Sequence, residues 1–126
     1  MLTILQPSFE LNAGSFLTRG HNRSVAFFDA VRAYYDANAT EENHLSEQDC
    51  MRDIIFGGSK PFNDNLVFIP QWKINAFPEE IQCWDKAQKH WERGMFVIHF
   101  AGAWAHVHED DPTGLLMNKY EGEIIW

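Results

Sequence analysis

The sequence lacks a long apolar run, is poor in cysteine and has few basic residues, and each shortage argues against a class of protein. Its most apolar window, FVIHFAGAWAHV, is shorter than the roughly 20 residues that cross a bilayer and is interrupted by histidines. Ten Lys and Arg face 18 Asp and Glu, giving a net charge of −8. We therefore expect no nucleic acid partner, because the electrostatic field of a chain with this negative net charge would repel the phosphates of a nucleic acid.

Cysteine is scarce enough to limit what the thiols can do. Cys50 and Cys83 lie in neither a CxxC pair nor a zinc-finger spacing, so one disulfide is possible but not required. Two glycosylation sequons, NRS at Asn22 and NAT at Asn38, fit a secretory lumen. The start of the chain shows no basic flank followed by a long apolar stretch, so we expect no secretion signal or anchor in it.

The residues that are abundant indicate a single packed domain. The chain has 126 residues, 45% of them hydrophobic and 14% aromatic, which is enough to build one core rich in large rings. Asn12 and Gly14 form a polar turn before a strand at Phe16 and Leu17. The run LVFIP predicts a second short strand closed by proline, and the stretch from Phe96 predicts a third.

Three helices are predicted between these strands. Ser24 is a plausible cap for a helix that ends near Asn38. Its apolar residues recur at three-and-four spacing and share one side, which we expect to face the core: Phe27, Phe28, Val31, Tyr34 and Tyr35. Ser46 caps a second helix that the Gly57 and Gly58 pair ends. A third runs from about Glu79 to Arg93, and the tail from Gly114 fits either a helix or an edge strand. The order predicts α/β or α+β packing around a small sheet.

His99 is unusual because it lies within an apolar strand. A single histidine there is more often a hydrogen-bonded core residue than a ligand. The small residues Ala101 and Gly102 follow it directly, so a ligand could approach the chain closely while the imidazole is presented to a metal or a phosphate. His99 and Gly102 are therefore candidates for the rim of a site.

A second candidate metal cluster follows His99 in the chain. His106, His108 and Glu109, with Asp110 and Asp111, place imidazole and carboxylate groups at spacings that can hold a divalent cation. An acidic turn before proline is more commonly a solvated loop.

Other polar candidates look ordinary one at a time. Glu47 and Gln48 at a helix start fit a capping pair whose charge complements the helix dipole. Asn12 and Gly14 fit simple turn formers. The loop QWKINAFPEE mixes aromatic and polar side chains, a composition typical of loops that bind a ligand, and Lys73 and Asn75 are polar candidates in it.

The order of these motifs is more informative than any one of them. The segments LNAGSFLTR, FFD, SEQDCMRDI, VFIPQWKINAFP and GMFVIHFAG follow one another in a way that resembles the C-terminal half of the family 34 glycosyltransferases. The resemblance runs from about Gln6 to Gly102. The most specific motifs in it are NAG, EQ and HFAG.

This resemblance implies a GT-A type fold of which residues 1–126 are the C-terminal, acceptor-side portion. It also implies a metal-dependent, retaining transfer of a hexose from a nucleotide-sugar, UDP-galactose or GDP-mannose, to a glycan acceptor on the lumenal side of the Golgi membrane. His99 resembles the family's C-terminal Mn²⁺ ligand. Asn12 and Gly14 match the segment that lines the donor-sugar pocket, and Glu47 and Gln48 match the polar pair near the anomeric carbon. With a sugar as ligand, Trp72 and Phe77 could stack on its faces, or simply fill the core, while Lys73 and Asn75 could bond its hydroxyls.

The sequence also departs from the family's pattern. It contains no Asp-x-Asp, the motif of the family's N-terminal nucleotide-binding half. One histidine does not complete a Mn²⁺ site, since such cations take about six mostly oxygen ligands. We therefore expect the N-terminal half to be absent from this chain, so that the metal site would need that half or a partner subunit.

Three functional hypotheses follow. The chain is the acceptor-side part of a hexosyltransferase, derived from a longer enzyme and inactive or nearly so by itself. Alternatively, it is a non-catalytic sugar-binding or scaffold module, or a small unrelated metalloenzyme that uses His106, His108 and Glu109.

Overall fold

The computed structural model describes residues 2–4, 11–57, 62, 64, 66–82 and 89–125. The chain divides into two compact units. Unit 1 comprises Met1–Leu5 and Phe9–Ile69, and unit 2 comprises Gln6–Ser8 and Pro70–Trp126.

A small mixed sheet forms part of unit 1. Strands β1 (Leu2–Ile4), β2 (Asn12–Leu17) and β3 (Val67–Ile69) are arranged in the order β2-β1-β3. β1 is antiparallel to β2 and parallel to β3, and the register of β1 against β2 shifts along the pair. A small mixed sheet beside helices is consistent with the expected α/β or α+β packing.

Helix α1 (Asn22–Asn38) ends where its apolar periodicity predicts, but it begins earlier. The N-cap is His21, whose Nδ1 accepts a hydrogen bond from the Arg23 N–H. The prediction that Ser24 caps this helix was therefore wrong: its hydroxyl donates to the carbonyl of Arg19 instead. An imidazole nitrogen can satisfy a free N–H at a helix start as a hydroxyl does.

Helix α2 (Glu47–Phe56) begins as predicted. Ser46 Oγ accepts from the Asp49 N–H, and Asp49 Oδ2 accepts from the Ser46 N–H, which forms a capping box. The hydrogen bonds that Asp49 forms with Ser46 lower the pKa of Asp49. The bond from the Ser46 side chain has the larger effect and the bond from its backbone the smaller. The helix stops at Gly57, while the predicted partner Gly58 lies outside the described residues. The capping box fixes which residues form the first turn of α2.

The core of unit 1 lies between these helices and β2. Its buried members come from the segment before β2, from α1 and from α2: Leu11, Phe27, Val31, Cys50, Met51, Ile54 and Ile55. Beside it, the Tyr34 hydroxyl donates to Asp53 at 3.0 Å, and the Arg52 guanidinium donates to both Asp49 and Asp53. α1 is thus joined to α2 by apolar packing and by one polar contact. Cys50 is a free thiol, and Cys83 lies outside the described residues.

Unit 2 contains shorter helices. They are α3 (Gln71–Ile74), α4 (Ala103–His106) and α5 (Pro112–Tyr120), followed by a 3₁₀ turn (Glu121–Glu123). The tail is therefore a helix rather than an edge strand. Asp111 caps α5 by accepting a hydrogen bond from Gly114, and Pro112 occupies the first turn, where its missing N–H costs nothing.

The helix predicted from Glu79 to Arg93 is wrong over the residues that the structure describes. Residues 79–82 and 89–93 are turns or irregular, and residues 83–88 lie outside the described part. Gln82 has a φ of 52°, outside the helical range. The Trp91 N–H donates to the carbonyl of Phe77. Of the apolar residues at helical spacing, the described Ile81 and Trp91 lie in turn or irregular segments, and Ile81 is buried in the core of unit 2.

The strand predicted at Phe96 is also largely absent. In the described part of this stretch, the strand pairing amounts to one isolated bridge between Ile98 and Ala76. Phe96 itself is 80% exposed. An apolar run alone does not supply a neighbouring strand with which to form a ladder.

The core of unit 2 uses α5. Phe77, Ile81, Ala103 and Leu116 are its buried members. Glu80 accepts hydrogen bonds from Lys119 and from the Tyr120 hydroxyl. Burial alone would raise the pKa of Glu80, but the hydrogen bonds from Lys119, the backbone and Tyr120 hold it below its ordinary value.

Within the part of the chain that the structure describes, none of the helices combines the length and apolar character needed to span a membrane.

Candidate functional site

The candidate residues fall in both units. In unit 1, Asn12 and Gly14 belong to β2 rather than to a turn that precedes a strand. The Asn12 Oδ1 accepts a hydrogen bond from the Gly14 N–H at 2.8 Å. This bond from a side chain to the backbone two residues later is typical of a turn, and it forms here where the register of β2 against β1 shifts. Asn12 is 7% exposed, whereas Gly14 is exposed.

Gln48 connects this segment to α2. Its Oε1 accepts a hydrogen bond from the Ala13 N–H at 2.9 Å, although the two residues are 35 positions apart in the chain. The contact is partly buried, which strengthens it relative to one in water. The structure therefore joins the NAG and EQ motifs through one side-chain amide.

Glu47 points elsewhere because consecutive residues of a helix are rotated by about 100°. It is exposed and lines a pocket of about 380 Å³ between α1 and the start of α2. The start of α2 thus presents a carboxylate to the pocket and an amide to β2.

His99 in unit 2 is held by its backbone and by a ring contact. Its N–H donates to the carbonyl of Ala76 at 2.7 Å. Its imidazole lies 4.9 Å from the Phe77 ring, centroid to centroid, at an interplanar angle of 70°. Burial lowers the pKa of His99 below its ordinary value of 6.5, which favours the neutral form at neutral pH. Neutral imidazole is the form that binds metals.

Gly102 follows His99 closely and has a clear backbone role. Its φ is 81°, and it is the N-cap of α4. A Cβ built there would meet no heavy atom within 4 Å beyond its chain neighbours. Glycine is required at this position by the backbone conformation, not by crowding.

Lys73 and Asn75 occupy very different environments. Lys73 is exposed, and its Nζ lies 5.5 Å from the centre of the Trp72 ring. Lys89 approaches the same ring at 4.6 Å. Asn75 is fully buried at 0% exposure, and its N–H donates to the Gln71 carbonyl.

The described residues do not build a metal site by themselves. Among them, no three His, Cys, Asp or Glu side chains lie close enough to hold a cation. His99 alone does not fit a complete Mn²⁺ site, which needs about six mostly oxygen ligands. The alternative cluster of His106, His108 and Glu109 is not assembled either, and all three side chains are exposed.

The apolar pattern of α1 did not predict which of its residues line the pocket. It placed Phe28 and Tyr35 on the buried face, but they are 37% and 47% exposed. Phe28, Arg32 and Tyr35 follow a spacing of four and then three residues, so they form one stripe beside the buried Phe27 and Val31. The apolar face predicted for α1 was wider than the single stripe of residues that faces the core. That excess width was the signal that some of its apolar residues lie outside the core.

Comparison with known proteins gives two matches. The family described as the galactosyl transferase GMA12/MNN10 family matches residues 1–109. A probable alpha-1,2-galactosyltransferase, gmh2 from Schizosaccharomyces pombe, is 36% identical over 104 residues, which cover 82% of this chain and 28% of that protein. The chain thus spans little more than a quarter of that relative's length. No solved structure matches the chain.

Proposed function

Because the chain belongs to the galactosyl transferase GMA12/MNN10 family, we propose that it acts in hexosyl transfer from a nucleotide-sugar to a glycan acceptor, with retention of the anomeric configuration. The observation that carries this proposal is the hydrogen bond from Ala13 to Gln48, which brings two motif segments of the family together. Galactose is the proposed sugar, because the relative from Schizosaccharomyces pombe is named as a probable alpha-1,2-galactosyltransferase. We therefore propose UDP-galactose as the donor in preference to GDP-mannose.

The residues of unit 1 have chemically reasonable roles in this reaction. Asn12 and Gly14 are proposed to line the donor-sugar pocket, and Glu47 and Gln48 to lie near the anomeric carbon. A carboxylate and an amide dipole stabilise the positive charge that develops on a sugar ring as its leaving group departs. The Gln48 side chain is held by the Ala13 N–H, so it loses little freedom when substrate binds.

The proposed step needs no separate general base. The bond from the anomeric carbon to the diphosphate breaks, and a bond from the acceptor hydroxyl oxygen forms on the same face. The departing phosphate oxygen takes the hydroxyl proton. A pair of carboxylates placed as in a glycosidase is therefore not required.

His99 is proposed as one ligand of Mn²⁺, which would neutralise charge on the donor diphosphate. The support is the lowered pKa, which favours a neutral nitrogen with a free lone pair. The other ligands would come from beyond the described residues and from the phosphates. Manganese binding followed by paramagnetic broadening of the His99 ring signals tests this role, and unchanged signals would contradict it.

The second unit is proposed to supply further contacts to substrate. Lys73 is exposed and can reach a sugar hydroxyl. Gly102 allows close approach beside His99 because it carries no side chain. Asn75 is buried, so a direct bond to sugar would require its surroundings to open.

We further propose a GT-A type fold and a location on the lumenal side of the Golgi membrane. The sequons support a lumenal location, because Asn22 and Asn38 lie at the two ends of α1 and both are exposed. Expression in the secretory pathway should give a product whose mass falls on treatment with an endoglycosidase. A product without glycan would count against the location.

A transfer assay tests the proposed function. The chain is incubated with Mn²⁺, UDP-galactose or GDP-mannose, and methyl α-mannopyranoside as acceptor. We expect a low yield of α-linked disaccharide, detected by its anomeric proton signal, because the sequence lacks the family's Asp-x-Asp, and a further strong loss of product in Gln48→Ala. Glu79→Ala, an exposed change in unit 2, serves as the matched surface control.

Two results would contradict the proposal. One is the absence of product with either donor, and the other is equal product from the wild type and Gln48→Ala. Binding of the glycoside without turnover would favour the sugar-binding module instead.

A further inference from the structure

The pocket between α1 and α2 has a composition that identifies a ligand class. One wall is the stripe Phe28, Arg32 and Tyr35, and the floor includes Val31 and Cys50. Its volume of about 380 Å³ falls within the range of small-molecule sites. Two exposed aromatic rings beside a guanidinium offer both flat apolar surfaces and hydrogen-bond donors.

The charges around this pocket nearly cancel. Arg32 is the basic lining residue and Glu47 the acidic one. Arg32 also lies 3.9 Å from Asp36, and both side chains are highly exposed. A diphosphate would meet no excess of positive charge here, so the phosphate-bearing donor does not fit.

A purely apolar ligand does not fit either. It would remove Arg32 and Glu47 from water without giving them partners, which costs free energy. Ser46 is already committed, since its hydroxyl donates to Asp49 Oδ2 and accepts from the Asp49 N–H. The polar groups offered to a ligand are therefore a guanidinium and a carboxylate, both strong partners for neutral hydroxyls.

We propose that this pocket binds a neutral hexose unit of the glycan acceptor. Phe28 and Tyr35 contact the apolar face of the sugar ring, and Arg32 and Glu47 bond its hydroxyls. This inference rests on the proposed function, because it makes Glu47 the residue shared by the acceptor pocket and the site of transfer. It assigns Phe28, Arg32 and Tyr35 to substrate binding.

Binding of simple glycosides tests the pocket without any turnover. The full chain is titrated with methyl α-mannopyranoside and methyl α-galactopyranoside by NMR, with neither donor nor metal present. We expect Arg32→Ala and Tyr35→Ala each to weaken binding about tenfold. Tyr35→Phe keeps the ring and should restore most of the affinity.

The controls separate binding from folding. Arg23→Ala removes the same charge from the same helix outside the pocket lining, and it should bind the glycoside like the wild type. Far-UV circular dichroism should be equal for all variants, since Arg32 and Tyr35 are both exposed. Equal affinity for Arg32→Ala and the wild type, or no binding of either glycoside by the wild type, would overturn the inference.

The transfer assay distinguishes failure of the pocket from failure of the proposed function. Hexosyl transfer with an acceptor KM unchanged by Arg32→Ala would overturn the pocket assignment and leave the function standing. Glycoside binding that depends on Arg32, with no transfer from either donor, would support the pocket as a sugar site and contradict the proposed function. Displacement of the glycoside by UDP alone would overturn the inference, because it would show a phosphate site.

Discussion

The two units hold their candidate residues by different means. In unit 1, the Gln48 side chain bonds directly to the backbone of β2 at Ala13, 35 residues earlier in the chain. In unit 2, His99 is held by its own backbone bond to Ala76 and by the ring of Phe77, while Gly102 relies on its backbone conformation. A side-chain substitution should therefore disturb the first arrangement, and a change in packing or backbone should disturb the second.

The cores of the two units also differ in their relation to the family. The core of unit 1 lies entirely within the matched residues 1–109. The core of unit 2 includes Leu116 from α5, which follows the matched region. Family resemblance alone would thus not reveal that the segment around His99 is packed against a helix outside it.

The tryptophans allow the two units to be followed separately. All five, at positions 72, 84, 91, 104 and 126, occur in unit 2, so fluorescence of their indoles reports on that unit alone. Among the described residues, the two longest helices, α1 with 17 residues and α2 with 10, are in unit 1, so unit 1 supplies more than half of the helical far-UV circular dichroism. Each substitution below is expected to change one signal more than the other.

Leu116→Ala should have the largest effect. Leu116 is 1% exposed in the core of unit 2, and its truncation leaves a cavity. We expect unfolding of unit 2, followed by tryptophan fluorescence in urea, to be destabilised by about 2–5 kcal/mol. Leu115→Ala is the matched control, since Leu115 is 47% exposed and should change stability by less than about 0.5 kcal/mol. Similar urea midpoints for Leu116→Ala and Leu115→Ala would contradict the assignment of α5 to the core of unit 2.

Gly102→Ala should come next. The Cβ has space, so the cost comes from the φ of 81° and should be about 1–2 kcal/mol. Gly102→Asn should cost less, because asparagine tolerates this conformation better than alanine. Fluorescence-detected unfolding measures both. A Gly102→Ala protein as stable as the wild type would show that the left-handed conformation is not needed.

Gln48→Ala should affect unit 1 by about 1 kcal/mol, the usual net contribution of one hydrogen bond. Circular dichroism in urea measures the loss, and hydrogen exchange of the Ala13 amide should speed up. Glu47→Ala changes the neighbouring, exposed side chain and should leave that amide protected. Equal exchange rates of the Ala13 amide in the two variants would contradict a stabilising hydrogen bond between β2 and α2.

The pH dependence of unit 2 should give the smallest effect. Burial lowers the pKa of His99 below 6.5 in the folded chain, so the unfolded chain takes up the proton first as the pH falls. Stability from this residue is therefore present above pH 6.5 and is lost as the pH falls through the pKa of the folded state. Fluorescence-detected unfolding of His99→Gln should show a flatter dependence than the wild type. His108→Gln, at an exposed position, should retain the wild-type dependence.

Local sequence signals predicted unit 1 better than unit 2. The capping box at Ser46 and the apolar spacing of α1 are short-range features, and both helices formed where these signals placed them, apart from the cap at His21. The helix predicted from Glu79 to Arg93 was wrong over its described residues, where Trp91 lies in an irregular segment and its N–H donates to the carbonyl of Phe77 instead of to its own turn. That choice depends on tertiary packing, which no local pattern encodes.

The candidate site shows the same limit. Motif order proposed Asn12, Gly14, Glu47 and Gln48 as candidates, but it did not predict the hydrogen bond that joins two of these segments. The pocket on α1 was missed because Phe28 and Tyr35 were counted with the core. Hydrophobic residues at helical spacing predict an apolar face on a helix. How much of that face is buried depends on the element that packs against it, here α2.

The most direct test of the account is whether a nucleotide-sugar is recognised at the junction of β2 and α2. Amide signals of the ¹⁵N-labelled chain are recorded while UDP-galactose is added in the presence of Mn²⁺. We predict that the signals of Ala13, Gly14 and Gln48 shift with a common saturation curve. Saturating donor that leaves these three signals unmoved would contradict the assignment of this junction to hexosyl transfer.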